Sequence, residues 1–200
     1  MLSTHAVLKL FLKSETGEKA VPQSVLTGGK SGINGNIECH NYRQILILND
    51  SVFRQFSFLP GDLKENVVVD FDELHELKSG TEVRVGTLHV RLTFHCEPCK
   101  KISCFATAKD LLHRRGYLGS ILNDGSVKVG DELTVVGKKH ESIPYEPCDR
   151  IKWILDRTER TFKAKELTSA VALRTSYCRV LPRYLKRLGK SYVSRVVFGG

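Results

Sequence analysis

EVRVGTLHVRLTF, residues 82 to 94, sets Val83 and Val85, then Leu88, Val90, Leu92 and Phe94, at alternate positions on either side of Gly86-Thr87. Alternation at period two puts one row of side chains on one face of a strand, and a two-residue link containing glycine joins two such strands. The stretch predicts a β-hairpin. GSVKVGDELTVV (125–136) repeats the device around Gly130-Asp131. Upstream, AVLKLFLK (6–13) alternates with Ala6, Leu8, Leu10 and Leu12 on one face, while QILILN (44–49) and NVVVDF (66–71) are short apolar runs with polar ends. Each fits a buried strand. ATAKDLLHRRG (106–116) is the one stretch of this half with a helical pattern, stopped at Gly116. Many short strands with turn signals between them predict a mainly β fold, a closed or nearly closed antiparallel barrel with few helices.

The pattern changes near residues 138–148, where KKHESIPYEPC is polar and proline-rich. Beyond it CDRIKWILDRT, AKELTSAVALR and VLPRYLKRLGK space their apolar residues as helices do, with Pro182 suited to a first turn and Gly189 to a stop. Two domains are predicted, a barrel over 1–140 and a small, mainly helical module over 141–200. The charge divides unevenly between them. Of 31 Lys and Arg and 22 Asp and Glu, residues 141–200 hold 13 and 6, and no acid follows Glu166. Arg174, Arg179, Arg183, Lys186 and Arg187 are therefore candidates for a nucleic-acid surface, with docking of an acidic protein or a solvated helical cap as the alternatives. The turn near Arg174 to Tyr177 allows a helix-turn-helix-like hairpin.

A composition of 41% hydrophobic and 26% charged residues is that of a globular protein. No apolar run reaches the roughly 20 residues of a membrane span, and the N-terminal stretch lacks a signal-peptide core, so a cytoplasmic protein without membrane contact is expected. Its six cysteines are then expected as thiols. Three fall in FHCEPCKKISC (94–104). Cys96-x-x-Cys99 is half of a zinc site, but no second pair exists, and only Cys39, His40 and His95 offer further ligands nearby. A redox pair would open a helix in a βαβ setting, which a strand-rich half does not provide. The remaining option is a thiol at a strand end, beside Lys100 and Lys101, suited to a soft metal. Cys104, Cys148 and Cys178 read as small buried side chains.

The order GINGN (32–36), YRQILIL (42–48), LPGDLKENVVV (59–69), VGTLHVRLTFHCEPCKKI (85–102) and RGYLGSILNDGSVKVGDEL (115–133) resembles the MOSC domain, named for the C-terminal part of molybdenum cofactor sulfurases. The resemblance covers roughly residues 5–137 and implies a β-barrel that binds the molybdenum cofactor, a pyranopterin with a phosphate. It also implies Cys99 as the molybdenum ligand and catalytic residue, in a reductase of N-hydroxylated compounds such as 6-hydroxylaminopurine, acting independently of pyridoxal phosphate. Lys64 matches a basic position facing the phosphate and Asn66 a position near the cofactor. Arg43 is a second cationic candidate, Cys96 a resolving or neighbouring thiol, and Arg114 and Arg115 close the pocket or serve a helix end. No flavin, haem or iron–sulfur motif is visible, so electrons are expected from a separate donor protein. The other option is a carrier of cofactor or sulfur, with Cys99 holding a persulfide. Family members often have Gly-Asp where this chain has Gly35-Asn36; Asn keeps a hydrogen-bonding role there but not a charge.

Overall fold

The computed structural model describes residues 4–13, 19–37, 40–98 and 106–198. Cys39, Cys99, Lys100, Lys101 and Cys104 lie outside them. The chain divides into two compact units, Met1–Ser142 and Ile143–Gly200.

Seven strands of the first unit close a ring: β1 (Thr4–Leu12), β11 (Glu132–Lys139), β7 (Thr81–Val85), β8 (Leu88–His95), β9 (Tyr117–Ile121), β5 (Ile45–Asn49) and β6 (Val67–Val69), which pairs again with β1. The ring is antiparallel except between β5 and β6, which run parallel. The 82–94 stretch forms the expected hairpin, with Val85 opposite Leu88 and Gly86 at φ 59. A side chain at Gly86 would meet the Asp131 carboxylate at 2.6 Å and the Ser126 carbonyl at 2.7 Å, so the turn needs glycine for space as well as for conformation.

The interior is filled by Val7, Leu10, Ile45, Ile47, Val67, Val69, Val83, Val85, Leu88, Val90, Leu92 and their neighbours. The intervening Leu48 and Val68 point the other way, into a second core with Phe11, Phe53, Phe58, Leu63 and Leu111. The runs ILIL (45–48) and VVV (67–69) are thus apolar throughout because both faces of β5 and β6 are covered. Beside the ring, β2 (Val21–Gln23) extends β1, and β3 (Val25–Gly29), β4 (Gly32–Ile33) and β10 (Gly125–Lys128) form a three-stranded sheet. The first helix, α1 (Ser51–Phe56), follows β5.

Three expectations need correction. In β1 the inward row is Val7 and Leu10 while Leu8 is exposed, because a register shift between Val7 and Lys9 changes the parity of the strand. The Gly130-Asp131 turn exists, with Gly130 at φ 89, but it does not join a hairpin. Gly130 N–H donates to Val7 and Val7 N–H to the Asp131 carbonyl, so β1 takes the turn's polar groups while β10 pairs with β3 and β11 with β7. Residues 106–116 form successive turns instead of a helix. The Asp110 carboxylate takes the Thr107 N–H and hydroxyl, and His113 at φ 62 breaks the chain out of helical geometry.

In the second unit α2 (Pro147–Leu155), α3 (Ala164–Ala170) and α4 (Leu181–Leu188) match the three predicted helices. Ile151, Leu155, Leu167, Val171, Leu173, Leu181 and Leu185 form its core, as their spacing requires. A 3₁₀ segment (Thr175–Arg179), a short α5 (Lys190–Val193) and a parallel pair of β12 (Phe162–Lys163) with β13 (Val196–Val197) complete it. No helix among the described residues is long and apolar enough to cross a membrane.

Candidate functional site

Four strands adjacent in the ring, β8, β9, β5 and β6, bring the candidate residues of the first unit together. Arg43 precedes β5, the loop 59–66 leads into β6, Cys96 and Glu97 follow β8, and Arg115 precedes β9. Arg43 Nη2 lies 2.5 Å from Glu97 Oε2, with its guanidinium 5.2 Å from the centre of the Phe94 ring. Arg115, buried, donates from Nη1 to the Glu97 carbonyl at 2.6 Å and from Nη2 to the Leu63 carbonyl at 3.4 Å. One buried guanidinium therefore ties the end of β8 to the residue before Lys64. Its geometry suits the task, because the planar fork reaches two acceptors that a lysine would reach singly.

Lys64 sits at φ 60, a left-handed conformation that costs a non-glycine residue about 1 kcal/mol. The loop holds it there through a Lys64 N–H bond to the Gly61 carbonyl at 3.2 Å and a Gly61 N–H bond to the Glu65 carboxylate at 2.5 Å. Its Nζ is sealed from solvent. Strain maintained by neighbouring contacts is characteristic of functional loops. Glu65 is fully buried, and burial raises its carboxyl above the usual range despite the Gly61 N–H, with Asp62 adding to the rise. Its Oε2 has no hydrogen-bond partner among the described residues. Three basic side chains, Lys64, Arg43 and Arg115, stand against two acidic ones, Glu65 and Glu97, in this set.

Asn66 is also fully buried, and its amide is used inside the protein. Oδ1 accepts from Leu46 N–H at 3.0 Å, and Nδ2 donates to the Phe11 carbonyl at 3.2 Å and to Asn36 Oδ1 at 3.3 Å. The same Asn36 oxygen accepts from Lys13 N–H at 2.9 Å. Asn36 thus does through an amide oxygen what an aspartate would do at this position, and both of its contacts need only an acceptor. Cys96 is a buried free thiol, its backbone N–H bonded to the Gly116 carbonyl at 2.9 Å. Gly116, at φ 86, lies so close to Ile47 that a side chain would stand 2.6 Å from its carbonyl oxygen. Among the described residues no group of three His, Cys, Asp or Glu side chains is arranged for a metal ion.

A histidine cluster adjoins this set that the sequence marked only through His95. His95 Nε2 is 2.9 Å from the His75 carbonyl, which can only accept, so Nε2 carries the proton. Nδ1 of neutral His95 then accepts from His113 Nδ1 at 3.2 Å. Burial pushes His95 down to about 4, and repulsion from His113 acts in the same direction, so the ring is neutral near pH 7. Its ring centre is 4.3 Å from that of Tyr117, whose hydroxyl donates to the Leu77 carbonyl and is pushed up to about 12 by burial. His75, Arg114 and Tyr117, with Asn49 and Ser51, line a cavity of about 160 Å³. Only their convergence across β5, β8 and β9 reveals these residues, since no spacing in the sequence links them.

Residues 38–134 match the family model described as the MOSC domain. This stretch of the chain is a MOSC domain. Among solved structures, the YuaD protein from Bacillus subtilis is similar at 20% identity and TM-score 0.58, over 70% of this chain and 99% of that one. YiiM from Geobacillus stearothermophilus follows at 16% and 0.55, over 90% and 99%, and YiiM from Escherichia coli at 18% and 0.53, over the whole of both chains. At these identities the likeness is one of fold. No curated protein matches the chain significantly.

Proposed function

We propose that the MOSC domain binds the molybdenum cofactor beside the loop 59–66 and acts as a reductase of N-hydroxylated compounds. The observation that carries this reading is that Arg43 and Arg115 meet at Glu97, two residues before Cys99 in the sequence, while Arg115 also holds Leu63, the residue before Lys64. The donor set fits the group. Three basic side chains exceed two acidic ones in the set, which suits a phosphate ester, and a thiolate from Cys99 is a soft ligand suited to molybdenum.

In this proposal Lys64 meets the cofactor phosphate, and Arg115 positions the Lys64 loop against the end of β8. Asn66 acts one step further out, fixing the start of β6 to β5 and β1. When bound, the cofactor supplies a metal centre that exchanges two electrons with substrate. Reduction of an N–OH group to N–H consumes two electrons and two protons and releases water; the electrons come from a separate donor protein. Of the two protons, one is assigned to His113, whose Nδ1 faces Nδ1 of His95 next to Cys96 in the chain, and the other to solvent.

The test is turnover of 6-hydroxylaminopurine to adenine by cofactor-loaded protein with a chemical reductant. Activity lost in Cys99→Ser with the fold intact supports the assignment. Full activity in that variant removes Cys99 as the ligand. A mass increase of one sulfur on Cys99, without turnover, would instead favour a sulfur carrier.

A further inference from the structure

We propose that the second unit is a duplex-DNA-binding module that seats the segment 175–188 in the major groove. The inference is independent of the cofactor chemistry and rests on three features of residues 143–200.

The first is the link between the helices. α3 ends at Ala170, and the next helical segment starts at Thr175, so four residues join them. Val171, Ala172 and Leu173 are buried, Ala172 adopts φ 53, and Leu173 N–H bonds to the Thr168 carbonyl at 2.8 Å. A tight, buried turn of this length fixes the second segment against the first, which is the requirement of a helix-turn-helix unit.

The second is how that segment presents itself. Leu181 and Leu185 are buried in the core, while Arg174, Thr175, Ser176, Arg179, Arg183, Lys186 and Arg187 are exposed. The segment's start thus offers hydroxyls and guanidiniums, the groups that read base edges, and its later turns offer cations for phosphates. Its diameter as a helix, about 10–12 Å, matches a major groove about 12 Å wide.

The third is charge. The unit's acids precede this surface, and two of them are engaged elsewhere, Asp156 with Lys152 at 2.5 Å and Glu166 with Arg160 at 2.9 Å. From Leu167 onward there are seven cations and no acid, so a polyanion approaching this face meets no opposing carboxylate from the segment. An acidic protein would satisfy the charge, but the buried helix-turn-helix link and a segment of groove width are features that a duplex uses.

The test is a titration of the full chain against labelled random-sequence duplex DNA. Binding is expected with a Kd on the order of 10⁻⁴ to 10⁻⁶ M at physiological salt. With five phosphates neutralised, affinity should fall about 500-fold between 50 and 200 mM salt. Arg179→Glu/Arg183→Glu and, separately, Lys186→Glu/Arg187→Glu should each weaken binding at least about tenfold at 50 mM salt, since each removes two phosphate contacts. Lys128→Glu/Lys139→Glu, the same charge change on exposed sites of the first unit, should leave it within about threefold. Duplex RNA of the same sequence should bind more weakly, because its deep, narrow major groove excludes a helix. The proposal is overturned by absence of binding at 50 mM salt, by equal losses in all three double variants, by equal affinity for the two duplexes, or by binding to polyglutamate alone.

Discussion

Replacing Arg115 with Met tests whether one buried guanidinium holds the candidate site together. Arg115 donates to the Glu97 carbonyl at 2.6 Å and the Leu63 carbonyl at 3.4 Å. The first is short and charge-assisted, a class worth about 1.5–3 kcal/mol; the second, near the distance limit, adds about 0.5–1 kcal/mol. Met fills much of the same volume without a donor, so the expected loss is about 2–4 kcal/mol of unfolding free energy, read by urea denaturation. A domain of ordinary stability survives that loss. Arg115→Lys keeps the charge and one donor and should lose roughly half as much. Hydrogen exchange adds a local readout: amides of 59–66 and 94–98 should exchange faster in the Met variant, while those of the β7–β8 hairpin stay protected. A loss below about 0.5 kcal/mol, or uniform acceleration of exchange, would refute the tie between the two segments.

Three further outcomes are expected. His95 titrates near 4 when folded and near 6.5 when unfolded, so the unfolded chain binds the proton first as pH falls, and stability present above pH 6.5 is lost on the way down through pH 4. From pH 7 to pH 4 this amounts to about 3 kcal/mol, and His95→Gln should lose that much less over the same range in denaturant titrations. Asn66→Ala strands the buried Leu46 N–H and should cost about 3 kcal/mol, whereas Asn36→Asp keeps an acceptor for Lys13 and Asn66 and should stay within about 1 kcal/mol by the same assay. Lys64→Glu should weaken cofactor retention far more than Lys128→Glu, measured as pterin released from matched preparations, because a charge reversal beside a phosphate acts where water is excluded.

The barrel was legible in the sequence wherever a strand is covered in one consistent way. Residues 82–94 alternate because one face is buried, and 45–48 and 67–69 are apolar throughout because two cores flank them. Reading failed where tertiary contacts compete with local pattern. The bulge in β1 changes the parity of AVLKLFLK, and the backbone of β1 captures the Gly130-Asp131 turn. The helical spacing of 106–116 yields to side-chain bonds at Thr107 and Asp110. At the candidate site, Arg43, Lys64, Asn66, Cys96 and Arg115 were nominated from the sequence, and the segments carrying them adjoin neighbouring strands of the ring. The His75, His113 and Tyr117 contacts were not visible, because they arise only when β8 and β9 pair at His95 and Tyr117.

The proposed role of this MOSC domain is to hold the molybdenum cofactor through Cys99 and the cations beside Glu97. The most direct measurement is the molybdenum and pterin content of the full chain purified from a host that makes the cofactor, beside Cys99→Ser purified in parallel. The account expects molybdenum and oxidised-pterin fluorescence to approach one equivalent each in the parent, and molybdenum to be largely lost in the variant. Absence of both from the parent, or equal molybdenum in parent and variant, would contradict it.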